Sequence, residues 1–356
     1  MGTLQFENNE PCFSLKILIA PDKFKDSLTA LKVGEALALG IKRIDSSIVI
    51  ANQPIADGGE GTLEVLETNL SLEKVEVIVH DPLFRTINAF YLKNKNSAFI
   101  EMAEASGLQR LEMHEYNPAK TSTFGTGELI KHAIESGLKQ INLFVGGSAT
   151  NDGGIGMAAA LGCVFKSKGN KFLKPTGEAL SQIHTIDNSQ QAQLNRGVEF
   201  KVLTDVKNVL FGLKGAAHVY AKQKGANTDQ VNELDFGLKN LAGIMGNGLE
   251  TELGAGAAGG LGYGAMTFLN AKLHSGVDFL MGVIDFEARL SDVDLIITGE
   301  GKLDAQTLEG KVVSGVLKLG KKNNIPVVLV CGSSEINPDV PLYQIIEESM
   351  SLQDAI

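Results

Sequence analysis

The sequence predicts an α/β protein with a parallel sheet and a second, mixed domain. Short apolar strands alternate with helical segments in the order strand, loop, helix, and at least five of the strands end in loops containing glycine or aspartate. A length of 356 residues agrees with about two domains. Since ligands of open α/β sheets bind beyond the carboxyl ends of strands, these loops are candidates for one shared site.

The first elements follow the strand–helix–strand pattern of a parallel sheet. We predict a strand over 16–20, a helix over 27–41 and a strand over 48–55. The loop Ala56-Asp-Gly-Gly-Glu-Gly-Thr62 and another helix follow. Residues 73–102 differ, because three short strands lie close together between polar turns. This spacing predicts antiparallel strands in a second domain.

The remaining elements return to alternation. The pattern predicts helices over 126–135 and 157–161 and a largely helical stretch over 225–253. It also predicts strands over 141–145, 198–203, 294–298 and 325–330. The last two are expected to end in the loops Gly299-Glu-Gly-Lys-Leu-Asp304 and Cys331-Gly-Ser-Ser334.

The loop over 145–156 carries the strongest functional signal. It lies between a predicted strand and a predicted helix and contains five glycines, two hydroxyls, an amide and a carboxylate. Such a loop presents backbone N–H groups that can hold a phosphate or carboxylate. Alternatively, it is a tight turn in which Thr150 and Asn151 cap the helix. Because a turn needs fewer glycines, we favour anion binding.

Composition narrows the function classes. The net charge is −10 without a long basic run, so we expect neither a nucleic-acid nor a membrane partner. The three cysteines form no CxxC motif, no apolar run approaches 18 residues, and the first 14 residues lack the features of a signal peptide. These observations predict a soluble cytoplasmic protein.

Carboxylates in glycine-rich loops are typical of a nucleotide bound with magnesium, although each could instead cap a helix or face solvent. The candidates are Asp57, Glu60, Asp152, Glu300 and Asp304. Lys23 and Lys25 follow the first strand and precede a helix, where an anion would offset their charge. There is no Walker A motif, and the GxGxxG match at 254–259 does not follow a convincing strand. We therefore expect those small residues to allow close packing.

The chain resembles the glycerate kinases of the bacterial type-one family from about Lys16 onward. The matching stretches include Ala56-Asp-Gly-Gly-Glu-Gly-Thr62, Gly146-Gly-Ser-Ala-Thr-Asn-Asp-Gly-Gly154, Thr204-Asp-Val206, Gln223-Lys-Gly-Ala226 and Ile297-Thr-Gly-Glu-Gly-Lys-Leu-Asp304. The resemblance implies ATP- and Mg²⁺-dependent phosphorylation of D-glycerate to 2-phosphoglycerate. Alternatives are 3-phosphoglycerate as product, a non-catalytic regulator that binds a hydroxy acid, or an NAD-dependent oxidoreductase using 254–259.

The resemblance also implies roles for single residues. Asp205 would be the base that accepts the hydroxyl proton. Lys23 and Lys25 would attract the glycerate carboxylate or the phosphates, and the five carboxylates named above would be metal ligands or orient lysines. The residues expected to hold the ATP phosphates are Gly146, Gly147, Ser148, Ala149, Thr150 and Asn151.

The resemblance further implies two α/β domains with the active site in the cleft between them. Among assemblies, we consider a homodimer. We expect a flavodoxin-like domain over 16–62, 122–162 and 286–356, and a second α/β domain over 63–121 and 163–285. Residues 1–15 would be an N-terminal extension, and the chain would end within or before a final helix typical of the family.

Overall fold

The computed structural model describes residues 14–25, 27–304, 307 and 311–346. The chain divides into two compact units. The first unit comprises the chain up to Pro54 and from Asp285 onward, and the second is the continuous stretch Ile55–Ile284. The α/β class predicted from the sequence is confirmed, since both units contain parallel strands with helices between them.

The strands of the described residues, in chain order, are β1 (Lys16–Ile19), β2 (Val49–Asn52), β3 (Glu73–His80), β4 (Thr86–Lys93), β5 (Ser97–Glu101), β6 (Gln140–Phe144), β7 (Val164–Lys166), β8 (Thr185–Asp187), β9 (Glu199–Leu203), β10 (Lys272–His274), β11 (Leu295–Leu303), β12 (Val327–Ser334) and β13 (Leu342–Gln344). The α-helices are α1 (Ala30–Ile44), α2 (Thr62–Asn69), α3 (Ala103–Ser106), α4 (Phe124–Glu135), α5 (Ile155–Ala160), α6 (Ser189–Leu194), α7 (Ala216–Tyr220), α8 (Thr228–Met245), α9 (Ala257–Leu269), α10 (Gly276–Val283) and α11 (Val312–Asn323).

The first unit contains a five-stranded parallel sheet in the order β13-β12-β11-β1-β2. Numbered within the unit, this is the strand order 2-1-3-4-5 of flavodoxin-like folds. Ile17, Ile19 and Ile297 form the centre of one apolar cluster on this sheet. Helix α1 begins later than the periodicity suggested, because the side chain of Thr29 caps it by accepting from the N–H of Lys32.

The second unit contains a six-stranded sheet in the order β10-β9-β6-β5-β4-β3. The strands from β10 to β5 are parallel, whereas β4 pairs antiparallel with both β5 and β3. The prediction of antiparallel strands over 73–102 is therefore confirmed. One buried core packs around this sheet, and a second packs around α8.

Apart from Asp285, which was expected in the second domain and belongs to the first unit, the predicted domain boundaries differ from these units at two places. The stretch 122–162 was expected in the flavodoxin-like domain but lies in the second unit, because β6 pairs with β5 on one side and β9 on the other. Residues 55–62 also belong to the second unit. Of the predicted N-terminal extension, only residues 14 and 15 are described, and the end of the chain beyond 346 lies outside the described residues.

Strands β11 and β12 are longer than predicted. Their pairing continues past Gly299, with Glu300 opposite Cys331 and Leu303 opposite Ser334. The segments expected as loops are thus mostly strand, and Gly299 permits this because a Cβ there would lie 1.6 Å from the carbonyl oxygen of Val330. Among the described residues, no helix has the length and apolar character needed to span a membrane.

Candidate functional site

Four loops of the second unit meet at one edge of its sheet. Parallel strands β6, β9 and β10 all end there, and the loop after Ile55 joins them through glycine contacts. A Cβ on Gly146 would lie 2.3 Å from the Cα of Gly59, and a Cβ on Gly276 would lie 2.3 Å from the carbonyl oxygen of Asp57. Only glycine therefore allows these backbones to approach so closely.

Asp205 lies just beyond the end of β9 and is partly buried. Its carboxylate accepts hydrogen bonds from the backbone N–H groups of Gly276 and Val277, at 3.1 and 3.3 Å. These groups belong to the first turn of α10, whose dipole favours a negative charge at this end. The carboxylate is thereby fixed in orientation at the edge where the loops meet.

The environment of Asp205 raises its pKa. Burial raises the pKa of this carboxyl to about 6, and the charge of Asp57 acts in the same direction. Hydrogen bonds from Ser275 and from the backbone of α10 oppose the rise. At pH 7 the carboxylate is mostly ionised yet basic enough to accept a proton, which suits a general base.

The glycine-rich loop is accessible at one end only. Gly146 and Gly147 reach the surface, and Gly147 has a φ of +72° that favours glycine. Ser148 is 7% exposed, and Ala149, Thr150 and Asn151 are buried. The six residues predicted to hold phosphate therefore divide into an accessible pair of glycines and a buried segment that supports them.

Asp152 ties two helices together. Its buried carboxylate accepts from the N–H and hydroxyl of Thr123 at 2.7 and 2.8 Å, and from the N–H groups of Gly154 and Gly156 at 3.0 and 3.2 Å. Burial raises the pKa of Asp152 above its usual value, although these hydrogen bonds oppose the rise. The predicted role as a metal ligand does not agree with this arrangement, because the carboxylate is 0% exposed and holds the starts of α4 and α5.

The alternative in which Thr150 and Asn151 cap the helix does not hold, since Asp152 accepts from the backbone N–H groups at its start. Instead, the hydroxyl of Thr150 and both polar atoms of the Asn151 side chain are buried with no hydrogen-bond partner among the described residues. Unsatisfied buried polar groups are costly and rare in folded proteins. This part of the loop thus contains buried polar atoms that could still form hydrogen bonds.

Lys224 is the functional candidate that the sequence did not single out. Its side chain is 3% exposed, and its ammonium donates to the hydroxyl of Ser148 and the carbonyl of Thr150, both at 2.7 Å. Burial lowers the pKa of Lys224 to about 7, although the charge of Asp152 opposes this. The only sequence signal was its place in the Gln223-Lys-Gly-Ala226 stretch.

The glycines over 254–260 pack against the same loop, as expected from their small size. A Cβ on Gly259 would lie 2.0 Å from the carbonyl oxygen of Thr150, and the N–H of Gly153 donates to the carbonyl of Gly259. A 3-10 turn at Leu249–Thr251 precedes the motif where a dinucleotide-binding fold needs a strand. This context disfavours the NAD-dependent reading.

The other predicted residues belong to the first unit. Lys23 and Lys25 lie after β1, where the backbone of Phe24 and Lys25 packs against Gly301 of β11. Glu300 lies on β11 rather than in a loop. Asp304 and Thr307 cap each other's backbone N–H groups through their side chains. The loop that joins β1 to α1 begins at the carboxyl end of β1, next to β11. In flavodoxin-like sheets this is the switch point of the strand order, where ligands bind.

The carboxylates do not form a metal site by themselves. Among the described residues, no group of three His, Cys, Asp or Glu side chains could hold a metal ion. Of the predicted ligands in the second unit, Glu60 lies beside the glycine-rich loop, since a Cβ on Gly147 would lie 3.7 Å from the Cβ of Glu60, and Asp57 lies beside Gly276 at the start of α10. Mg²⁺ in kinases commonly uses one or two carboxylates and the substrate phosphates, which this pair could satisfy.

Comparison with known proteins gives a consistent result. The model of the glycerate kinase family matches residues 17–356. A glycerate kinase of Bacillus subtilis is 40% identical, with 96% of this chain and 93% of the relative covered. A glycerate 2-kinase of Escherichia coli is 38% identical, with 90% and 85% covered.

A solved structure agrees with the sequence relatives. The crystal structure of a putative glycerate kinase 2 from Salmonella typhimurium has a TM-score of 0.81 and 38% identity to this chain, covering 96% of this chain and 93% of its own. Sequence, family and structure comparisons thus all extend over nearly the whole length. The chain belongs to the glycerate kinase family and is an enzyme of the kinase class.

Proposed function

We propose that this protein transfers the γ-phosphoryl group of ATP to D-glycerate and forms 2-phosphoglycerate. The observation that carries the proposal is Asp205, a fixed carboxylate with a pKa near 6 at the edge where the glycine-rich loops meet. The family supplies the substrate class, because the named relatives are glycerate kinases.

In the proposed reaction, Asp205 orients the glycerate hydroxyl and accepts its proton as the phosphoryl group arrives. The oxygen of that hydroxyl forms the new bond to phosphorus, and the bond from phosphorus to the leaving ADP oxygen breaks. A carboxylate is sufficient because the proton moves only as the new bond forms. The hydrogen bonds from α10 hold the carboxylate without protonating it.

The phosphates of ATP are proposed to lie against Gly146 and Gly147, supported by Ser148, Ala149, Thr150 and Asn151 from within. Asp57 and Glu60 would bind Mg²⁺ together with the phosphates, and the ion would offset the charge of the transferred group. Glu300 and Asp304 are the second choices for metal ligands. Lys23 and Lys25 are proposed to attract the glycerate carboxylate. A cleft site, a homodimer, the absence of nucleic acid and a cytoplasmic location stay predictions.

Incubation with D-glycerate, ATP and Mg²⁺ tests the proposal. We expect formation of ADP that depends on glycerate, and a phosphorus NMR signal from the 2-phosphate. A 3-phosphate signal would correct only the position of transfer. If no ADP forms under conditions where the protein is folded, the kinase proposal is wrong and the hydroxy-acid-binding regulator is favoured.

The base is tested by Asp205→Asn. We expect kcat to fall about 10²- to 10⁴-fold, while the KM for ATP changes little, because general base catalysis is lost and phosphate binding is kept. Asp278→Asn is the matched control, since Asp278 is an exposed carboxylate on the same helix that approaches Asp205. Near-normal turnover of Asp205→Asn would reject the assignment.

A further inference from the structure

We propose that Lys224 is a positioning residue for the phosphates of ATP. Its buried ammonium lies behind the glycine-rich loop, and the negative charge of the phosphates stabilises it. This inference rests on the proposed function, since it concerns the same site. The proposal begins from burial: the side chain is 3% exposed, and no carboxylate lies within ion-pair distance of the ammonium among the described residues.

A buried cation without a direct ion-pair partner is unfavourable for folding. Two hydrogen bonds to neutral oxygens recover only part of the lost hydration. An ammonium has three donors, and the described residues accept two of them, on Ser148 and Thr150. Lys224 therefore carries one spare donor. The carboxylate of Asp152 favours its charge from beyond ion-pair distance, but that carboxylate is already bonded to Thr123, Gly154 and Gly156.

The backbone is shaped to place this side chain inside. Lys224 ends a 3-10 turn, and the next residue, Gly225, has a φ of +93°. A Cβ at Gly225 would lie 2.2 Å from the carbonyl oxygen of Tyr116. Only glycine fits this close turn, which turns the chain so that Lys224 is buried while its neighbours Gln223 and Lys222 are exposed.

Lys224 holds the loop from one side, and backbone contacts hold it from the other. The N–H of Leu108 donates to the carbonyl of Gly147, and the N–H of Ala149 donates to the carbonyl of Ser106, both at 2.9 Å. Ser148 lies between these two clamped positions and accepts from Lys224. Since Ser148 directly follows the accessible pair Gly146 and Gly147, the ammonium fixes the part of the loop proposed to meet phosphate.

A phosphate on the accessible side would add its negative charge to that of Asp152, which does not pair directly with the ammonium. In the partly buried surroundings of the loop, the attraction between the ammonium and the phosphate is screened less than in water. The unpaired polar atoms of Asn151 and Thr150 add to the same buried segment. The inference is thus that Lys224 affects affinity for the phosphate groups specifically, and not for the rest of the nucleotide or for glycerate.

The test compares ADP with adenosine, which lacks phosphates. For Lys224→Met in the full-length chain, we expect calorimetry to show an ADP Kd raised on the order of ten-fold or more, with adenosine binding unchanged. Lys222→Met is the matched control, because it makes the same substitution at an exposed position two residues away. A variant that weakens ADP and adenosine equally, or neither, overturns the proposal.

Ser148→Ala keeps the proposal testable if Lys224→Met does not fold. It removes one acceptor and leaves the charge in place, so we expect a smaller rise, about two- to five-fold, in the ratio of ADP Kd to adenosine Kd. An unchanged ratio contradicts the proposal. Both measurements use binding, so a wild-type protein that binds ADP but does not phosphorylate glycerate would refute the proposed function without deciding the role of Lys224.

Discussion

At the scale of single residues, the pKa of Asp205 links structure to a measurable pH dependence. Its deprotonated form is the base, and its pKa is raised to about 6 chiefly by burial. We therefore expect kcat/KM to fall about tenfold per pH unit well below pH 6. A pH–rate profile of the free enzyme with limiting glycerate measures this acid limb.

A substitution of Asp57 tests whether its charge contributes to the raised pKa of Asp205. Its charge raises the pKa of Asp205, so Asp57→Asn should move the acid limb to lower pH. The height of the profile can fall as well, because Asp57 is a proposed magnesium carboxylate, and for this reason the position of the limb is the readout. Asp278→Asn serves as the control and should leave the limb in place. An unshifted limb in Asp57→Asn would show that the two carboxylates do not interact.

Single residues also show how far sequence reasoning reached. The role of Asp205 as the base was implied by the family resemblance and stays a prediction, and the structure places this residue just beyond β9, bonded to the start of α10. Asp152 looked equivalent in sequence, but its contacts with Thr123 and the start of α5 make it a buried cap. Lys224 lies in a locally polar stretch that resembles an exposed loop. Its burial depends on the distant residues Ser148 and Thr150, which no local pattern reveals.

At the scale of secondary-structure elements, the site depends on loops that touch through glycine. Gly146→Ala tests this contact, because its Cβ would lie 2.3 Å from the Cα of Gly59. Backbone atoms cannot move aside as a rotamer does, so we expect a loss of about 1–3 kcal/mol in unfolding free energy. We also expect weaker ADP binding as the loop shifts. Chemical denaturation and calorimetry measure the two effects.

Gly243→Ala is the control for that substitution. Gly243 lies in α8, and no atom lies within 4 Å of the Cβ that alanine would add. Alanine favours a helix over glycine by up to about 1 kcal/mol, so this variant should be as stable as the wild type or slightly more so. If Gly146→Ala matched it in both stability and ADP binding, the glycine contact would not determine the shape of the loop.

Elements were predicted well where periodicity was local and less well where pairing decided their ends. Helix α4 and strands β6 and β9 lie within a few residues of their predicted positions. Strand β11 instead runs on to Leu303, because β12 supplies hydrogen-bonding partners past Gly299. Glycine, which usually signals a turn, here permits close strand approach. Glu300 therefore lies on a strand, whereas its predicted role as a metal ligand assumed a position in a loop.

At the scale of the whole molecule, the second unit is inserted into the first between β2 and β11. The composition of 122–162 could not show this arrangement, since β6 is an apolar strand that suits either sheet. Only its pairing with β5 and β9 assigns it to the second unit. The flavodoxin-like strand order in the first unit likewise depends on joining the two ends of the chain.

This insertion predicts that the continuous stretch Ile55–Ile284 folds alone. It contains a complete six-stranded sheet and the two largest buried clusters described above. We expect the isolated fragment to unfold cooperatively and to give well-dispersed NMR signals.

A fragment starting at residue 63, the boundary suggested by the sequence, loses buried Ile55 and the contacts of Gly59 with Gly146. It should therefore be less stable by at least about 2 kcal/mol. Equal stability of the two fragments, or a fragment 55–284 without dispersed signals, would contradict the division of the chain at Ile55.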